Sequence, residues 1–284
     1  MPWIAPSHQA PALSLKLWKP LWFSGLGLCI GSMAPDLEFI LRLDDEWIVS
    51  HTLAAQVYFT APLVLVLYAL AVGLVLPWLL PLLPKGAPLY AEELAALRLP
   101  RSLREWVVVA TSGSLGGLTH VLLDSVSHGN HSGWLVPFFP ILRLLVPMPM
   151  GSVPLYDALH VTLTVVLGLL ALGTWQRIAR ERLLWRWRGE SPRAVAAAPV
   201  GERSRAIAWL TAWMAAGAST ACAFRPVHGA GHALELGVYG ALAFLAFGLV
   251  AGAIAGRIRF AARVRSQEGF QAEAAAGGSG TSPA

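Results

Sequence analysis

Residues Trp106 to Val126 read WVVVATSGSLGGLTHVLLDSV. A helix needs about twenty mostly apolar residues to cross the ~30 Å hydrocarbon core of a bilayer, and this stretch has that length. Its centre is rich in Gly and Ser, the small residues that let membrane helices approach closely. Its ionisable residues, His120 and Asp124, stand one helical turn apart near one end. Arg98, Arg101 and Arg104 precede it, and the polar segment SHGNHSGW, residues 127–134, follows it.

Five further stretches read as spans: Leu21 to Leu41, containing the polar segment SMAPDLE; Thr52 to Leu83, with Pro62 and Pro77 as points of kinking; Ala158 to Trp175; Ala206 to Phe224; and Ala233 to Gly256. The whole chain of 284 residues is 56% hydrophobic and 13% charged, with a mean hydropathy of +0.58. A soluble domain carries about a quarter charged residues, so too little polar surface remains to face water all round. The fold class is therefore all-α, a polytopic membrane bundle of about six transmembrane helices. Residues 1–175 form the bundle with the polar cluster and 176–205 a basic cytoplasmic connection. Residues 206–256 form a C-terminal transmembrane hairpin, and 257–284 a tail, basic and then disordered for want of apolar anchors. Lys16 and Lys19 before an apolar run resemble a secretory signal, but Pro35 follows the would-be cleavage site at Met33-Ala34 and favours retention. Cys29 and Cys222 fall in apolar stretches and read as inert thiols.

The net charge of +5 is concentrated in short clusters between spans. One holds Arg177, Arg180, Arg182, Arg186, Arg188, Arg193, Arg203 and Arg205, another Arg257, Arg259, Arg263 and Arg265, and a third Lys85 with Arg98, Arg101 and Arg104. This is the pattern of topology signals and not of a nucleic-acid surface, so no nucleic-acid partner is expected. With Lys16 and Lys19 they fall on one side if both termini are cytoplasmic in a bacterial inner membrane. The acidic Asp44-Asp45-Glu46 turn, the His-rich segment after Asp124 and the turn from Arg225 to His232 then fall on the other.

Ionisable groups inside spans are expensive, and each is a functional candidate. Asp36 and Glu38, His51, His120 and Asp124, His128 and His160 all lie toward the same face. His120, Asp124 and His128, at i, i+4 and i+8, share one helix face. An imidazole and a carboxylate one turn apart can hold a divalent metal, and a carboxylate can bridge two. The same residues can instead form buried hydrogen bonds that fix helix packing. His8, before Lys16, reaches this group only if a re-entrant helix folds back beside the first span. His131 sits in a loop-like segment, and His228 with His232 lacks a carboxylate partner other than Glu235.

The segments MPWIAPSHQA (1–10), GSMAPDLEF (31–39), SHTL (50–53) and GGLTHVLLDSVSH (116–128) together resemble a bacterial family of integral membrane proteins. It is the domain of unknown function 4184 (DUF4184) family, and the resemblance covers roughly Met1 to Trp175. That family looks like a membrane-embedded relative of YdjM-type metal-dependent hydrolases and, more distantly, of the zinc phospholipase C and S1 nuclease group. The distant resemblance implies that His8, Asp36, His51, His120, Asp124 and His128 follow, in order, the ligands of a zinc cluster. The group's late His-x-x-x-Glu pair is absent, because Thr164 follows His160 and cannot replace a carboxylate. His160 also stands where the membrane family is expected to carry Gln. The expectation is thus a one- or two-metal site.

The reading that results is a membrane-embedded hydrolase of a phosphoester, with a lipid as candidate substrate and the bilayer as partner. A divalent metal, zinc first, is held by Asp36, His51, His120 and Asp124, and His8 and His128 support a second position. Asp36 or Asp124 acts as the catalytic proton acceptor. A metal or proton carrier, or a purely structural bundle, is the alternative.

Overall fold

A computed structural model of the chain describes residues 5–42, 49–84, 86, 90–149, 151–224 and 237–259. The Asp44-Asp45-Glu46 turn, Lys85, the turn holding His228 and His232, and the tail beyond Arg259 lie outside the described residues. The fold is an all-α bundle. Its helices are α1 (Ala5–Trp18), α2 (Gly25–Gly31), α3 (Ala34–Arg42), α4 (Gln56–Leu79), α5 (Leu103–Ser127), α6 (Leu155–Arg180), the short α7 (Leu183–Arg186), α8 (Val200–Phe224) and α9 (Gly237–Arg259). A small antiparallel hairpin, β1 (Leu145–Met148) with β2 (Gly151–Pro154), precedes α6.

Among the described residues α4, α5, α6 and α9 are long and apolar enough to cross a membrane, with mean hydropathies of 2.4, 1.4, 1.8 and 2.1 over their best windows. The lowest value belongs to α5, whose apolar residues give way to Gly, Ser, His and Asp where other helices cover it. The stretch expected as a first span, Leu21 to Leu41, is not one helix. Pro35 has no N–H to offer the Gly31 carbonyl and crowds the preceding turn, so α2 stops at Gly31 and α3 restarts at Ala34. Ser24 caps α2, its hydroxyl accepting from the Gly27 N–H at 3.1 Å.

The α2–α5 contact decides where the polar residues sit. A Cβ on Gly31 would lie 2.0 Å from the Gly113 carbonyl oxygen, and one on Gly116 would lie 2.3 Å from the Leu28 carbonyl oxygen. Only glycine allows backbones this close. The Ser24 N–H also donates to the Ser112 hydroxyl at 2.9 Å, fixing the register of the two helices. Val64, Tyr68 and Val72 of α4 pack on Val109 of α5 in the main apolar cluster, and the Tyr68 hydroxyl donates to the Arg98 carbonyl.

Helix α1 folds back beside α2, the re-entrant arrangement that His8 required. It begins next to the far end of α5. Its own end packs through Leu13 and Leu17 on Ile178, Leu183 and Trp187, with the Lys16 ammonium 4.8 Å from the Trp187 ring. The turn carrying Lys19 therefore lies toward the Arg-rich end of the bundle, while His8 lies toward the opposite end. At the Arg-rich end, the buried Glu93 accepts from the Leu184 N–H at 3.0 Å and pairs with Arg182, clasping residues 91–96 to α7.

Candidate metal centre

Four elements converge at the end of the bundle away from the arginine clusters. From α1 comes His8, from α3 Asp36, from the turn before α4 His51, and from α5 His120 and Asp124. The α5 pair meets because i, i+4 positions project over one another. His8, His51, His120 and Asp124 are buried, each under 5% exposed. Two groups of three residues, His8 with His120 and Asp124, and Asp36 with His51 and His120, place their donor atoms within 4.8 Å of one another.

The separations can be compared with those of a hydrogen-bonded knot and of an ion site. His120 Nε2 lies 3.1 Å from Asp124 Oδ2 and 3.4 Å from Asp36 Oδ1. His51 Nε2 lies 3.4 Å from Asp124 Oδ2 and 3.8 Å from Asp36 Oδ1, and His8 Nε2 lies 3.6 Å from Asp124 Oδ1. A charge-assisted hydrogen bond brings N and O to about 2.7–2.9 Å. Donors placed tetrahedrally at zinc-like bond lengths of about 2.0–2.1 Å are roughly 3.3–3.5 Å apart. Of the five separations two, at 3.4 Å, match the second range; one at 3.1 Å lies between the two ranges, and those at 3.6 and 3.8 Å lie beyond both.

The tautomer of His120 sharpens the point. Its Nδ1 lies 2.8 Å from the Ser32 carbonyl oxygen, which can only accept, so Nδ1 carries a hydrogen. In the neutral ring the Nε2 lone pair therefore faces the two carboxylates, an arrangement that a proton on Nε2 or a bound cation would relieve. His8 Nδ1 and Asp124 Oδ1, both buried, have no hydrogen-bond partner among the described residues. Orphaned buried polar atoms are rare and call for an explanation. Because one imidazole nitrogen has one lone pair, His120 cannot serve both groups of three at once. The two groups share His120 and are therefore not independent of one another.

An outer layer holds the ligands in place. Ser50 Oγ meets His51 Nδ1 at 2.9 Å. The Glu38 carboxylate accepts from the Ser50 and Val49 N–H groups at 2.8 and 3.2 Å, pinning the turn that carries His51. The buried Gln56 donates to the Ser50 and Thr52 carbonyls, both at 2.8 Å, and accepts from the Thr60 hydroxyl at 2.8 Å. It lies on a π-turn at the start of α4, Gln56–Thr60, packed against Gly117, where a Cβ would fall 2.1 Å from the Gln56 amide oxygen. Gln56 and the Ser32 carbonyl were not among the sequence candidates. A buried amide opening an apolar span was a visible signal, whereas a backbone acceptor has none.

The remaining candidates divide. His128 stands beside the centre, its Nδ1 3.5 Å from Asp124 Oδ1 and 3.2 Å from Ser127 Oγ, but it belongs to neither group of three. Burial holds its imidazole below the ordinary range, against the pull of Asp124. His160 meets it edge to face at 4.6 Å, and the Thr164 hydroxyl caps the His160 carbonyl at 2.7 Å. His131 is exposed on the loop.

No curated protein and no solved structure matches this chain. The family described as domain of unknown function (DUF4184) matches residues 1–261, nearly the whole chain, and the protein belongs to that family.

Proposed function

We propose that this chain is a multi-pass protein of a bacterial inner membrane and a metal-dependent hydrolase of a phosphoester, with a lipid as the favoured substrate class. The observation that carries the reading is the convergence of five buried or half-buried ligand-type side chains from four elements, with His120 Nε2 3.1 and 3.4 Å from the two carboxylates. Asp36, His51, His120 and Asp124 would hold a divalent ion, zinc first, with His8 as a further donor. When bound, such an ion lowers the pKa of a coordinated water toward 7 and neutralises charge developing on a phosphoryl oxygen.

The chain's own groups divide the remaining tasks. The Asp124 side chain is 6% exposed and that of Asp36 17%, so Asp36 is the carboxylate open to incoming water and the better proton acceptor. Asp124, between His8, His51, His120 and His128, is the holder. His128 stands beside it, with His160 edge-on to the His128 ring, and a neutral imidazole there can offer an N–H as a hydrogen bond to a substrate oxygen. Leu53, Val57 and Tyr58, beside the His51 turn, are exposed apolar groups, which supports approach of a substrate from the bilayer. The phosphoester class rests on the ordered resemblance to zinc phospholipases. By the positive-inside rule the Arg-rich end is cytoplasmic, which puts the centre and the start of α1 at the other face and departs from the expectation of a cytoplasmic N-terminus.

A carrier is the second reading, favoured by the broken α2–α3 helix at the centre, since transporters build ion sites at discontinuous helices. Elemental analysis of purified wild type beside a His120→Ala/Asp124→Ala variant tests the common premise. Stoichiometric zinc or manganese lost in the variant supports the centre, and well-folded wild type that takes up no metal overturns it. Phosphodiester cleavage in detergent then selects the hydrolase, and metal flux into proteoliposomes without cleavage selects the carrier.

A further inference from the structure

A second polar region lies at the opposite end of the bundle, outside the metal centre. The last turns of α4, the start of α8 and the last turns of α9 enclose a cleft of about 1010 Å³. That volume matches the upper range of small-molecule sites, roughly 300–1,000 Å³. Its walls are hydrocarbon and indole, including Leu74, Pro77, Trp78, Ala206 and Trp209. Among the described residues its charged lining is Arg205, Arg257 and Arg259 against the carboxylate of Glu202.

These walls are held firmly. The Ala198 N–H donates to the Pro81 carbonyl at 2.8 Å, tying the approach to α8 onto the end of α4. Trp78 lies flush on α9, where a Cβ on Gly252 would fall 2.7 Å from its ring. Trp209 donates its indole N–H to the Gly248 carbonyl at 3.1 Å. The Arg257 guanidinium reaches from α9 to the Gly73 carbonyl of α4, and Arg259 Nε donates to the Ala255 carbonyl at 3.3 Å. Each anchored guanidinium retains further N–H groups for an anion. Arginine forks match phosphate oxygens in pairs.

We propose that this cleft binds an anionic phospholipid, its phosphate among Arg205, Arg257 and Arg259 and an acyl chain along the indole and aliphatic wall. The ends of α4, α8 and α9 lie at the Arg-rich face, which the positive-inside rule places in the cytoplasmic leaflet, where anionic lipids concentrate. Two tryptophans at that depth are the usual anchors of the interface. An apolar space of this size next to cationic groups suits an amphiphile and neither a free ion nor a wholly apolar molecule. The site rests on the membrane reading of the chain and is independent of metal chemistry at the other end.

The test uses the full chain in nanodiscs of phosphatidylcholine alone and of phosphatidylcholine mixed with phosphatidylglycerol, read by thermal unfolding and by native mass spectrometry of co-released lipid. Wild type should unfold at higher temperature with phosphatidylglycerol and retain it preferentially. Arg205→Gln/Arg257→Gln should weaken that preference about tenfold or more, the scale of losing a charge-assisted hydrogen bond. Ala206→Trp, which fills the wall and leaves the charge, should weaken it as well, and monodisperse elution with unchanged helix content shows both variants folded. Equal retention of the two lipids, wild-type preference in both folded variants, or the same stabilisation by glycerol phosphate alone would overturn the proposal.

Discussion

The two ends of this bundle handle charge in opposite ways. At one end, histidines and carboxylates from four elements are packed inward until donor atoms face donor atoms with too few hydrogens among them. At the other, arginines line an open apolar cleft with one carboxylate for company. Ionisable groups in an apolar bundle are tolerated when paired or when they face a ligand. The first end gathers imidazoles around two carboxylates, and on the proposed reading a small cation would complete it. The second has an excess of one sign beside hydrocarbon, and on the proposed reading an anion with a tail would complete it.

Several substitutions would break or sharpen this contrast. The largest effect is expected of Asp124→Asn, which keeps the shape and removes the charge. Metal content should fall from stoichiometric to background at unchanged expression, and full metal in the variant would sink the centre as assigned. Gln56→Leu should come next. It removes the bonds that hold the His51 turn, so metal affinity should drop by about 10–100-fold while the ligands stay. Competition with a chelator reads that drop, and unchanged affinity would mean the turn is held by Glu38 alone.

Helix contacts give the next contrast. Gly116→Ala forces α2 away from α5, where a Cβ would meet the Leu28 carbonyl, and should cost about 1–3 kcal/mol of stability together with metal affinity. Gly240→Ala strikes the α8–α9 contact, where a Cβ would meet the Gly217 carbonyl, and should cost a similar amount with metal content intact. Loss of metal in both variants would show that the two ends are not separable. The smallest effect is expected of Trp209→Phe, which removes the bond to Gly248 and should cost about 1 kcal/mol in thermal unfolding without touching metal content.

What the sequence revealed follows from the range of the signals. The α5 span and its site were legible together, because helical periodicity alone puts His120, Asp124 and His128 on one face. The alignment of Asp36 and His51 with them was legible from depth in their spans. Pro35 was in plain view, yet overall hydropathy hid the break it makes, because a window average is insensitive to one missing N–H. That α1 folds back to deliver His8 depends on packing against α6 and α7, far along the chain, which no local pattern reports. The Arg-rich cleft was hidden for a different reason. Arg205, Arg257 and Arg259 read naturally as orientation markers, and only the meeting of α4, α8 and α9 shows that they surround a space.

The interruption at Ser32 carries one more consequence. Where the helix breaks, His120 takes up the Ser32 carbonyl, so the ring that would grip an ion also docks the α2–α3 unit onto α5. Ion occupancy and docking are then thermodynamically linked: whatever favours one favours the other by the same free energy. Chelation should therefore register as faster proteolysis or deuterium exchange along residues 25–42, well before the bundle as a whole comes apart.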